Sequence, residues 1–583
     1  VIAEIKKDNI ASQKAFTKAG YRVLKEAEDK LIYIKDRVDY GTGETASDRK
    51  IFPIDVFSIK KYGIKKWQDE FFWPVPDSDF INLCRDIEAC MKAYMRNEPR
   101  EISDLLLIQR NLFGEYCQFL HANKVIQIIK SQGMDISYSE ASILYKDIIT
   151  GQFSDKSILR AEEATYNTLP FYEKTIKKFV RDIIYNANPY RFLKSREKIK
   201  IVRVCGSVSS LMGEYIKKIP HFVLMTYQRD WLPKDTSYAL PGGLAYEIKR
   251  VAAAIATDLR TIAEKYKIIL DASHIEHLRQ VAESELIYMA RTLFLVRRKI
   301  NKKIDLLISG LGNSFNRTLC LVIRENGGHV VSFNHGGGAG LYDNPAVGPS
   351  EFTFSDVFVT YTSKSIELFE RIKSNHPPIR NNNVVIASCE ADIYFKIWQK
   401  YKNRKLPDVI RKIMVIGYPH NQSRNRQMAG GFSPIRLDLE LRIVNNLKKA
   451  GYDVIYKVHP DRTREVDGIF EEKAEIRKGY VEDCLDRADA FLFGSIRTSA
   501  FATILCTNKP IIALRMESDE PFKPSSEKAM ECLKKRCRFV NAGFDERNRI
   551  IFDESELIRA LSRKPEPPNN EFIETYMFLK RAK

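Results

Sequence analysis

The sequence predicts an α/β protein whose larger part consists of two halves, each a mainly parallel sheet covered by helices. Three observations predict this class. From about residue 200 onward, short apolar runs alternate with amphipathic helical stretches. The alternation is interrupted by a basic stretch at 397–407 and restarts at Lys412, which divides the sheet-forming part in two. Several runs end in glycine or small polar residues, as strands do at the ligand-binding edge of open α/β sheets.

Length and charge limit the classes of protein that fit. With 583 residues the chain exceeds a single core, and at roughly 100–200 residues per domain it predicts three or four units. It carries 94 Lys and Arg against 75 Asp and Glu, a net charge of +19. This charge favours anionic partners such as nucleotide sugars, lipid phosphates, an anionic membrane face or nucleic acid. A general contribution to solubility is the other interpretation.

Cysteine usage and hydropathy favour a cytoplasmic protein. The ten cysteines are scattered without the paired spacing of a zinc site, which favours reduced thiols. No run approaches the roughly 20 apolar residues of a membrane span, and no signal peptide is visible. Val1 is not a natural start, so we expect residues upstream of it. Peripheral contact with the anionic inner face of the cytoplasmic membrane is a further expectation from the charge.

Residues 1–38 have the order strand, helix, strand, strand. Asn9, Ser12, Phe16 and Gly20 are spaced as in the closing segment of the GNAT acetyltransferases, which this segment resembles. The resemblance implies that Asn9 and the following helix correspond to groups near the acetyl-CoA tail. The glycine-rich pyrophosphate loop that those enzymes place upstream is absent from the sequence, so this GNAT-like fragment is not expected to bind acetyl-CoA by itself. We expect a fragment cut from a longer, two-activity protein; a structural remnant is the alternative.

Residues 39–195 are predicted to form a connector and then a helical insertion. Turn-forming residues mark Gly41–Asp48 and Phe72–Asp79, and helical periodicity runs from about 101 to 195. No motif in this region carries chemistry. We expect it to cover the sheet that follows or to hold an acceptor.

The first sheet-forming half, a Rossmann-like domain on the acceptor side, is assigned to 196–395. Its strand at 305–309 ends in Gly310-x-Gly312. Such a turn could admit a phosphate or a sugar, although so short a glycine pattern is more often only a tight turn.

The next strand of this half, at 329–334, runs into His335, Gly336 and Gly337. Glycine lets the backbone take a positive φ and approach a ligand closely. Consecutive glycines after a strand serve little packing purpose, so we predict a functional role for His335 and the glycines. A surface loop is the alternative.

The second half, assigned to 408–565, is predicted to bind the nucleotide. Its first strand ends at Gly417 and is followed by a long basic loop containing Arg424, which we expect to meet donor or acceptor charge. The run at 509–514 is predicted to close the sheet. Residues 566–583 are predicted to form a C-terminal helix that packs back across the first half.

Two motifs of the second half are the strongest candidates for a phosphate site. Lys457, His459 and Pro460 end one strand, and Ser495, Thr498 and Ser499 follow another. A hydroxyl residue that caps a helix leaves backbone N–H groups and a positive dipole end for a phosphate. Each motif alone has a structural alternative: a satisfied histidine beside an ordinary Pro turn, and an ordinary helix cap.

Together these motifs resemble the three landmarks of bacterial surface-polysaccharide transferases with the GT-B fold. These include CDP-glycerol glycerophosphotransferases, capsule Kdo transferases and bacterial sialyltransferases with a His-Pro motif. The landmarks here are His335-Gly336, Lys457 to Pro460, and the Ser495/Thr498/Ser499 segment, and the match covers about the last 390 residues. The resemblance implies two Rossmann-like domains that face each other across a cleft.

The resemblance also implies a CMP- or CDP-linked donor, an inverting transfer that needs no metal or other cofactor, and a glycan or lipid-linked acceptor. His459 would contact the donor phosphate and protonate it as it leaves, and the hydroxyls would bind the same phosphate. The acidic-acidic-Gly motif that supplies the base in the His-Pro sialyltransferases is not found here. His335 is therefore the expected base, with Asp343 and Glu351 in reserve.

The GNAT-like fragment suggests, by association, a donor from an N-acylated sugar pathway. We therefore predict a glycosyltransferase of surface-glycan biosynthesis that uses a CMP-nonulosonic acid of the pseudaminic, legionaminic, sialic or Kdo type. A CDP-glycerol-type phosphotransferase and a GT-B-shaped nucleotide-sugar hydrolase or epimerase are the enzymatic alternatives. A non-catalytic anion-binding protein is the third; no nucleic-acid-binding motif stands out, so nucleic acid is not an expected partner.

Overall fold

The computed structural model describes most of the chain and divides it into two compact units, Val1–Lys50 and Ile51–Lys583. The described residues are 2–6, 22–26, 30–34, 50–140, 142–153, 201–205, 209–226, 228–231, 239–334, 343–344, 346–380, 383–390, 393–419, 432–516 and 526–578.

The first unit contains a three-stranded antiparallel sheet. Its strands are β1 (Ile2–Lys6), β2 (Arg22–Glu26) and β3 (Lys30–Ile34), with β3 in the centre. The ladder between β2 and β3 contains a bulge at Val23/Lys25. The three predicted strands of this segment are present. The predicted helix at 12–19 lies outside the described residues, and the GNAT assignment stays a prediction.

The second unit begins with a helical region, residues 51–153. Two short parallel strands, β4 (Ile51–Pro53) and β5 (Asp135–Ser137), flank most of it. Its helices are Val56–Tyr62, Ile64–Asp69, Asp77–Asn97, Arg100–Ile108, Asn111–Ser131 and Ile143–Thr150.

The prediction of a turn-rich connector up to residue 100 was wrong for Asp77–Asn97, which is a helix of 21 residues. Asp77 and Asp79 stand in its first turn, where carboxylates interact favourably with the helix dipole. One apolar face, with the helical spacing of three or four residues, is buried: Phe80, Leu83, Ile87, Met91 and Met95. The turn signals at Phe72–Asp79 mark the entry to this helix, and helical periodicity in the sequence begins there rather than at residue 101.

The first large sheet has six strands, all parallel. They are β6 (Ile201–Cys205), β7 (Phe222–Thr226), β8 (Asp305–Ser309), β9 (Val330–Phe333), β10 (Val357–Thr360) and β11 (Val385–Ser388), in the spatial order β11-β10-β9-β8-β6-β7. The accompanying helices are Ser210–Lys218, Gln228–Trp231, Gly242–Lys265, Ala272–Lys299, Ser314–Glu325, Ser363–Asn375 and Ile393–Tyr401, with a π-helix at Gly348–Phe352.

The second large sheet has seven strands. They are β12 (Lys412–Ile416), β13 (Asp453–Lys457), β14 (Glu475–Arg477), β15 (Ala490–Phe493), β16 (Ile511–Met516), β17 (Arg538–Phe544) and β18 (Ile550–Phe552), in the order β14-β13-β12-β15-β16-β17-β18. All neighbours are parallel except β17 and β18. The sheet does not close at β16 as predicted but continues through β17 and β18. The sequence did not indicate β17, because this polar, glycine-containing strand lacks the apolar run of a central strand.

The helices of this half include Ser433–Lys449, Thr463–Val466, Ser499–Leu505, Glu527–Arg536, Glu554–Ser562 and Glu571–Tyr576, with 3₁₀ turns at Pro460–Arg462 and Val481–Arg487. The last helix contacts the first half, where the Thr362 hydroxyl donates to the Thr575 carbonyl at 3.0 Å. Within the described part of the chain, every helix is too short or too polar to span a membrane.

Candidate functional site

Each large sheet has a point at which its strand order reverses. In the first sheet the chain moves outward from β6 to β7 and then returns to place β8 on the other side of β6. In the second sheet it moves from β12 to β13 and β14 and then returns to place β15 beside β12. Open α/β sheets bind ligands outside the carboxyl ends of the strands at such switch points. The residues that follow β8, β12 and β15 are therefore the first candidates for a site.

Gly417 ends β12 at the second switch point, and the space around it requires glycine. Its N–H donates to the Lys457 carbonyl at 3.0 Å. A Cβ atom at Gly417 would lie 2.9 Å from that carbonyl oxygen and 2.9 Å from the Tyr456 hydroxyl. Gly417 therefore allows close packing of β12 against β13 at the edge of the sheet where a ligand would bind.

Arg436 lies at the same switch point, and sequence reasoning missed it. It comes from the first turn of helix Ser433–Lys449 and is buried. Its Nη1 donates to the Gly494 carbonyl at 3.4 Å and lies 3.7 Å from Met516 Sδ, and the guanidinium stands over the Tyr418 ring at 4.9 Å. A cation is thus held where β12, β15 and β16 end.

A sequence signal for Arg436 existed. Cations are unfavourable in the first turn of a helix, because the dipole end there is positive. Ser433-Pro434 marks such a helix start, and Arg436 follows within one turn. An arginine that breaks this rule beside a predicted phosphate site is a candidate anion-binding group.

A buried ion pair fixes the loops around this switch point. Arg462 Nη1 contacts the two carboxylate oxygens of Glu440 at 2.9 and 2.8 Å, and Glu440 also accepts from the Tyr418 N–H at 2.6 Å. The Arg462 and Glu440 side chains are almost fully buried. Removing one partner of such a pair leaves an uncompensated charge, so the pair holds the end of β12 and the His-Pro turn in one arrangement.

His459 precedes the 3₁₀ turn Pro460–Arg462 and caps it. Its Nδ1 accepts a hydrogen bond from the Asp461 N–H at 3.3 Å. When one imidazole nitrogen accepts, the proton of the neutral ring sits on the other, so Nε2 is a donor. The His459 side chain is 30% exposed, so it can reach a ligand at the sheet edge.

Lys457, also predicted to bind phosphate, directs its ammonium to backbone carbonyls. Nζ donates to Val458 O at 3.0 Å and to Gly479 O at 2.6 Å. Burial lowers the pKa of Lys457. These contacts tie the end of β13 to the turn after β14 and so support the loop that carries His459.

Ser495 and Thr498 are buried after β15, and Thr498 caps helix Ser499–Leu505. The Thr498 hydroxyl accepts from the Ala500 N–H at 3.4 Å, and the Ser495 hydroxyl accepts from the Arg497 N–H at 3.4 Å. The helix has only seven residues, so its dipole is small. The hydroxyls and Arg436 are therefore better anion-binding candidates than the helix end.

The sheet order determines how these groups relate to each other. His459 follows β13 and Ser495 follows β15, with β12 between them. At about 4.8 Å per strand, the two positions lie roughly 10 Å apart. One ligand can contact both only if it extends across the end of β12, next to Arg436.

At the first switch point, the turn after β8 is built by Gly310, Leu311 and Gly312. Gly310 has a φ of 80°, which favours glycine, and its carbonyl accepts from the Asn316 side chain at 3.0 Å. A Cβ atom at Gly312 would have open space around it. Gly310 is thus required by the turn, whereas Gly312 is not required by packing.

Glu351 is the titratable group at this turn. Its Oε1 accepts from the Leu311 N–H at 3.3 Å. Burial raises the pKa of Glu351 to about 7, against the opposing effects of the Leu311 N–H and the Arg317 guanidinium. Glu351 belongs to the π-helix Gly348–Phe352, a rare element that is frequent at functional sites. A carboxyl with such a pKa can take up or release a proton near neutral pH.

Asp343, the other reserve base, is engaged elsewhere. Its carboxylate lies 3.1 Å from His376 Nε2 and accepts from Asn375 Nδ2 at 3.3 Å. These partners stand at the end of helix Ser363–Asn375 and immediately after it. The same segment packs against the π-helix, since a Cβ atom at Gly348 would lie only 1.7 Å from the His376 carbonyl oxygen.

The remaining predicted site residues, His335, Gly336, Gly337 and Arg424, lie outside the described residues, and their roles stay predictions. Among the side chains that the structure describes, no group of three or more His, Cys, Asp or Glu residues is placed to hold a metal ion.

Comparisons with known proteins give a distant structural likeness. No family model matches the chain, and no curated protein matches it. A UDP-N-acetylglucosamine 2-epimerase from Rickettsia bellii is similar with a TM-score of 0.34 and 14% identity, over 65% of this chain and 93% of the other. A UDP-GlcNAc 2-epimerase from Methanocaldococcus jannaschii, solved with UDP-GlcNAc and UDP, has a TM-score of 0.35 and 13% identity, over 65% and 98%. Similarities this distant assign no function.

The class of fold follows from the sheets themselves. Two doubly wound sheets, one parallel and one parallel except for its last strand, form an α/β protein of Rossmann type. This arrangement is consistent with the predicted GT-B-like architecture.

Proposed function

We propose that this protein is a nucleotide-sugar-dependent enzyme, a glycosyltransferase that moves a nonulosonic acid from a CMP-sugar to a glycan or lipid-linked acceptor. The observation that carries the proposal is Arg436, a buried guanidinium at the point where the strand order of the second sheet reverses. A fixed cation at such an edge favours a phosphate ligand, because the doubly wound fold binds ligands there.

The phosphate-bearing donor would extend across the end of β12 and be bound by side chains from three segments of the chain. Arg436 supplies positive charge, His459 supplies a donor at Nε2, and Ser495 supplies a hydroxyl. When the bond to the sugar breaks, negative charge builds on the phosphate, and fixed donors stabilise that charge without reorganising. Peripheral contact with an anionic membrane would bring the enzyme to a lipid-linked acceptor.

The acceptor hydroxyl needs a base, and Glu351 is the best candidate among the described residues. Its pKa of about 7 means that a substantial fraction is ionised at neutral pH. A base is most effective when its pKa lies near the working pH. Glu351 lies at the first switch point and has a raised pKa. Asp343, the other described candidate, is instead paired with His376. His335 stays the alternative.

The test is a titration of nucleotides against thermal stability. CMP, CDP, UDP and GDP are added to the wild type and to Arg436→Met, and a ligand that binds the native state raises stability by RT ln(1 + [L]/Kd). We expect CMP to stabilise the wild type and its affinity to fall about 10- to 100-fold in Arg436→Met, as for a lost charge-assisted hydrogen bond.

Arg260→Met serves as the matched control, because Arg260 is exposed on helix Gly242–Lys265 and pairs with Glu264. Its affinity for CMP should equal that of the wild type. Failure of every nucleotide to stabilise the wild type would contradict the proposal. Selective binding of UDP would retain a nucleotide site and reject the CMP-sugar donor.

A nucleotide-sugar hydrolase or epimerase is the second candidate, and Glu351 is the observation that favours it. A buried carboxyl with a pKa of about 7 can also exchange a proton with a sugar carbon or activate water. The requirement for an acceptor separates the two activities. A transferase turns over slowly with donor alone, whereas an epimerase or hydrolase reaches its full rate.

A further inference from the structure

The helical region 51–153, to which the sequence assigned no chemistry, contains an aromatic slot that holds Phe432. The His121 ring stacks on Phe432 with centroids 4.0 Å apart and an interplanar angle of 10°. Trp73 also stacks on Phe432 at 5.4 Å, and Phe80 meets it edge-on at 4.9 Å. Three side chains from the helical region thus surround one residue of the second sheet's domain.

The slot is apolar in effect, although it contains a histidine. Burial, with a smaller effect of Lys124, lowers the pKa of His121 to about 3, so the ring is neutral at physiological pH. Its Nε2 has no hydrogen-bond partner among the described residues. His121 therefore acts as a flat stacking surface, which a phenylalanine could replace.

Phe432 connects this slot to the candidate phosphate site. It directly precedes helix Ser433–Lys449, and its carbonyl accepts from the Arg436 N–H at 3.1 Å. One helical turn therefore separates the residue in the slot from the guanidinium at the ends of β12, β15 and β16. A shift of Phe432 moves the start of the helix and with it Arg436.

A second contact from the helical region reaches the next turn of this helix, at Asp438. The buried Asp438 carboxylate accepts from Gln68 Nε2 at 3.3 Å, from Arg549 at 2.8 and 2.6 Å, and from Arg442 at 2.9 Å. The backbone next to Arg549 also contacts the helical region, because the Trp73 N–H donates to the Arg547 carbonyl at 2.9 Å. Gln68 thus adds one hydrogen bond between the region 51–153 and this helix.

We propose that the helical region positions Arg436 for the nucleotide phosphate by holding Phe432 in the slot formed by Trp73, Phe80 and His121. This inference rests on the proposed function and makes Phe432 and His121 positioning residues for the donor site. The physical reason is that charge-assisted binding of a phosphate depends on placement, and a small displacement of a fixed group has a large effect.

The first experiment measures the affinity for CMP, by calorimetry, of the wild type, Phe432→Leu, His121→Leu and His121→Phe. Phe432→Leu and His121→Leu should weaken binding about tenfold through displacement of Arg436. His121→Phe keeps the stacking surface and should bind like the wild type.

Phe119→Leu is the matched control for stability. Phe119 lies on the same helix as His121 and is buried, but it contacts Phe153, His274 and His277 instead of Phe432. It should lower the unfolding temperature about as much as Phe432→Leu while leaving the affinity for CMP unchanged. Equal loss of affinity in Phe119→Leu would show a general structural effect and overturn the inference.

A double-mutant cycle tests whether Phe432→Leu weakens CMP binding through Arg436. If Phe432 acts through Arg436, Phe432→Leu should cause no further loss of affinity in an Arg436→Met background. Additive losses would overturn the inference while leaving the proposed function in place. A wild type that binds no nucleotide would overturn both.

A measurement without ligand tests the same coupling. Amide hydrogen exchange at residues 433–440 should become faster in Phe432→Leu and stay unchanged in Phe119→Leu. Unchanged exchange in Phe432→Leu would mean that the slot does not hold the helix start, and would overturn the inference.

Discussion

At the end of β8 the buried group is a carboxyl, Glu351, whereas at the ends of β12 and β15 it is a guanidinium, Arg436. The surroundings differ accordingly. Glu351 has a raised pKa and one backbone donor, while Arg436 stands against a carbonyl, a sulfur atom and an aromatic ring. Two sheets of similar topology thus present different chemistry. The carboxyl at one edge suits proton transfer, and the guanidinium at the other suits anion binding.

Glu351→Gln is the change with the largest expected effect. If Glu351 is the base, kcat should fall about 10²- to 10⁴-fold, because the amide cannot accept the proton. The affinity for nucleotide should not change, in contrast to Arg436→Met. Steady-state kinetics with calorimetry checks this division.

Asp343→Asn is the control for the loss of a carboxylate in the same half, and it should lower kcat much less than Glu351→Gln. A wild-type rate that rises with pH through about 7, as the carboxyl ionises, is the accompanying expectation. Full activity of Glu351→Gln would remove the proposed role of the first switch point.

The contribution of Glu351 to the stability of the wild type, measured as the difference from Glu351→Gln, should fall as pH rises between about 4.5 and 7. The folded-state pKa of Glu351 is raised above the usual 4.5 to about 7, so in this range the native state binds more protons than the unfolded state. The expected loss is about 3 kcal/mol, at 1.36 kcal/mol per pH unit. This loss of stability is absent below about pH 4.5 and complete above about pH 7.

Glu351→Gln should remove this pH dependence, so the variant gains stability relative to the wild type at pH 8 and gains little at pH 4. Denaturant unfolding at the two pH values measures the difference. Arg317 and Cys320 are the nearby titratable groups, and both are retained in the variant. An equal pH slope in wild type and variant would contradict the raised pKa.

Two glycine substitutions compare how tightly the backbone is packed at the ligand-binding edges of the two large sheets. Gly417→Ala would place Cβ 2.9 Å from the Lys457 carbonyl and should lower the free energy of unfolding by about 1–3 kcal/mol. Gly312→Ala meets open space and should change it by about 0.5 kcal/mol or less. Chemical denaturation of both variants tests whether the second edge is the more tightly packed.

His459→Gln tests the smaller contribution at the second edge. Glutamine keeps a donor but not the ring held by Asp461, so the affinity for nucleotide should fall about tenfold, or about 1.4 kcal/mol. The unfolding temperature without ligand should stay near that of the wild type, because the side chain is partly exposed. A loss of stability without a loss of affinity would make His459 a structural turn residue.

The sequence by itself determined the secondary structure of most of both sheets. Apolar runs such as Ala490–Phe493 are buried along their whole length, as expected for strands inside a sheet covered on both faces. The places where strands end in glycine, such as Gly310 and Gly417, could also be read from the sequence. These features are local, because periodicity and turn chemistry act over a few residues.

The tertiary structure decided what depends on distant parts of the chain. Strand order brings Gly417 and Gly494 together at one switch point, and the fold places Arg436 beside them. Burial gives Glu351 its raised pKa, although the sequence could place it only among reserve bases. The slot for Phe432 joins residues more than 300 positions apart. Burial and long-range contact set these properties, and neither is encoded in a local pattern.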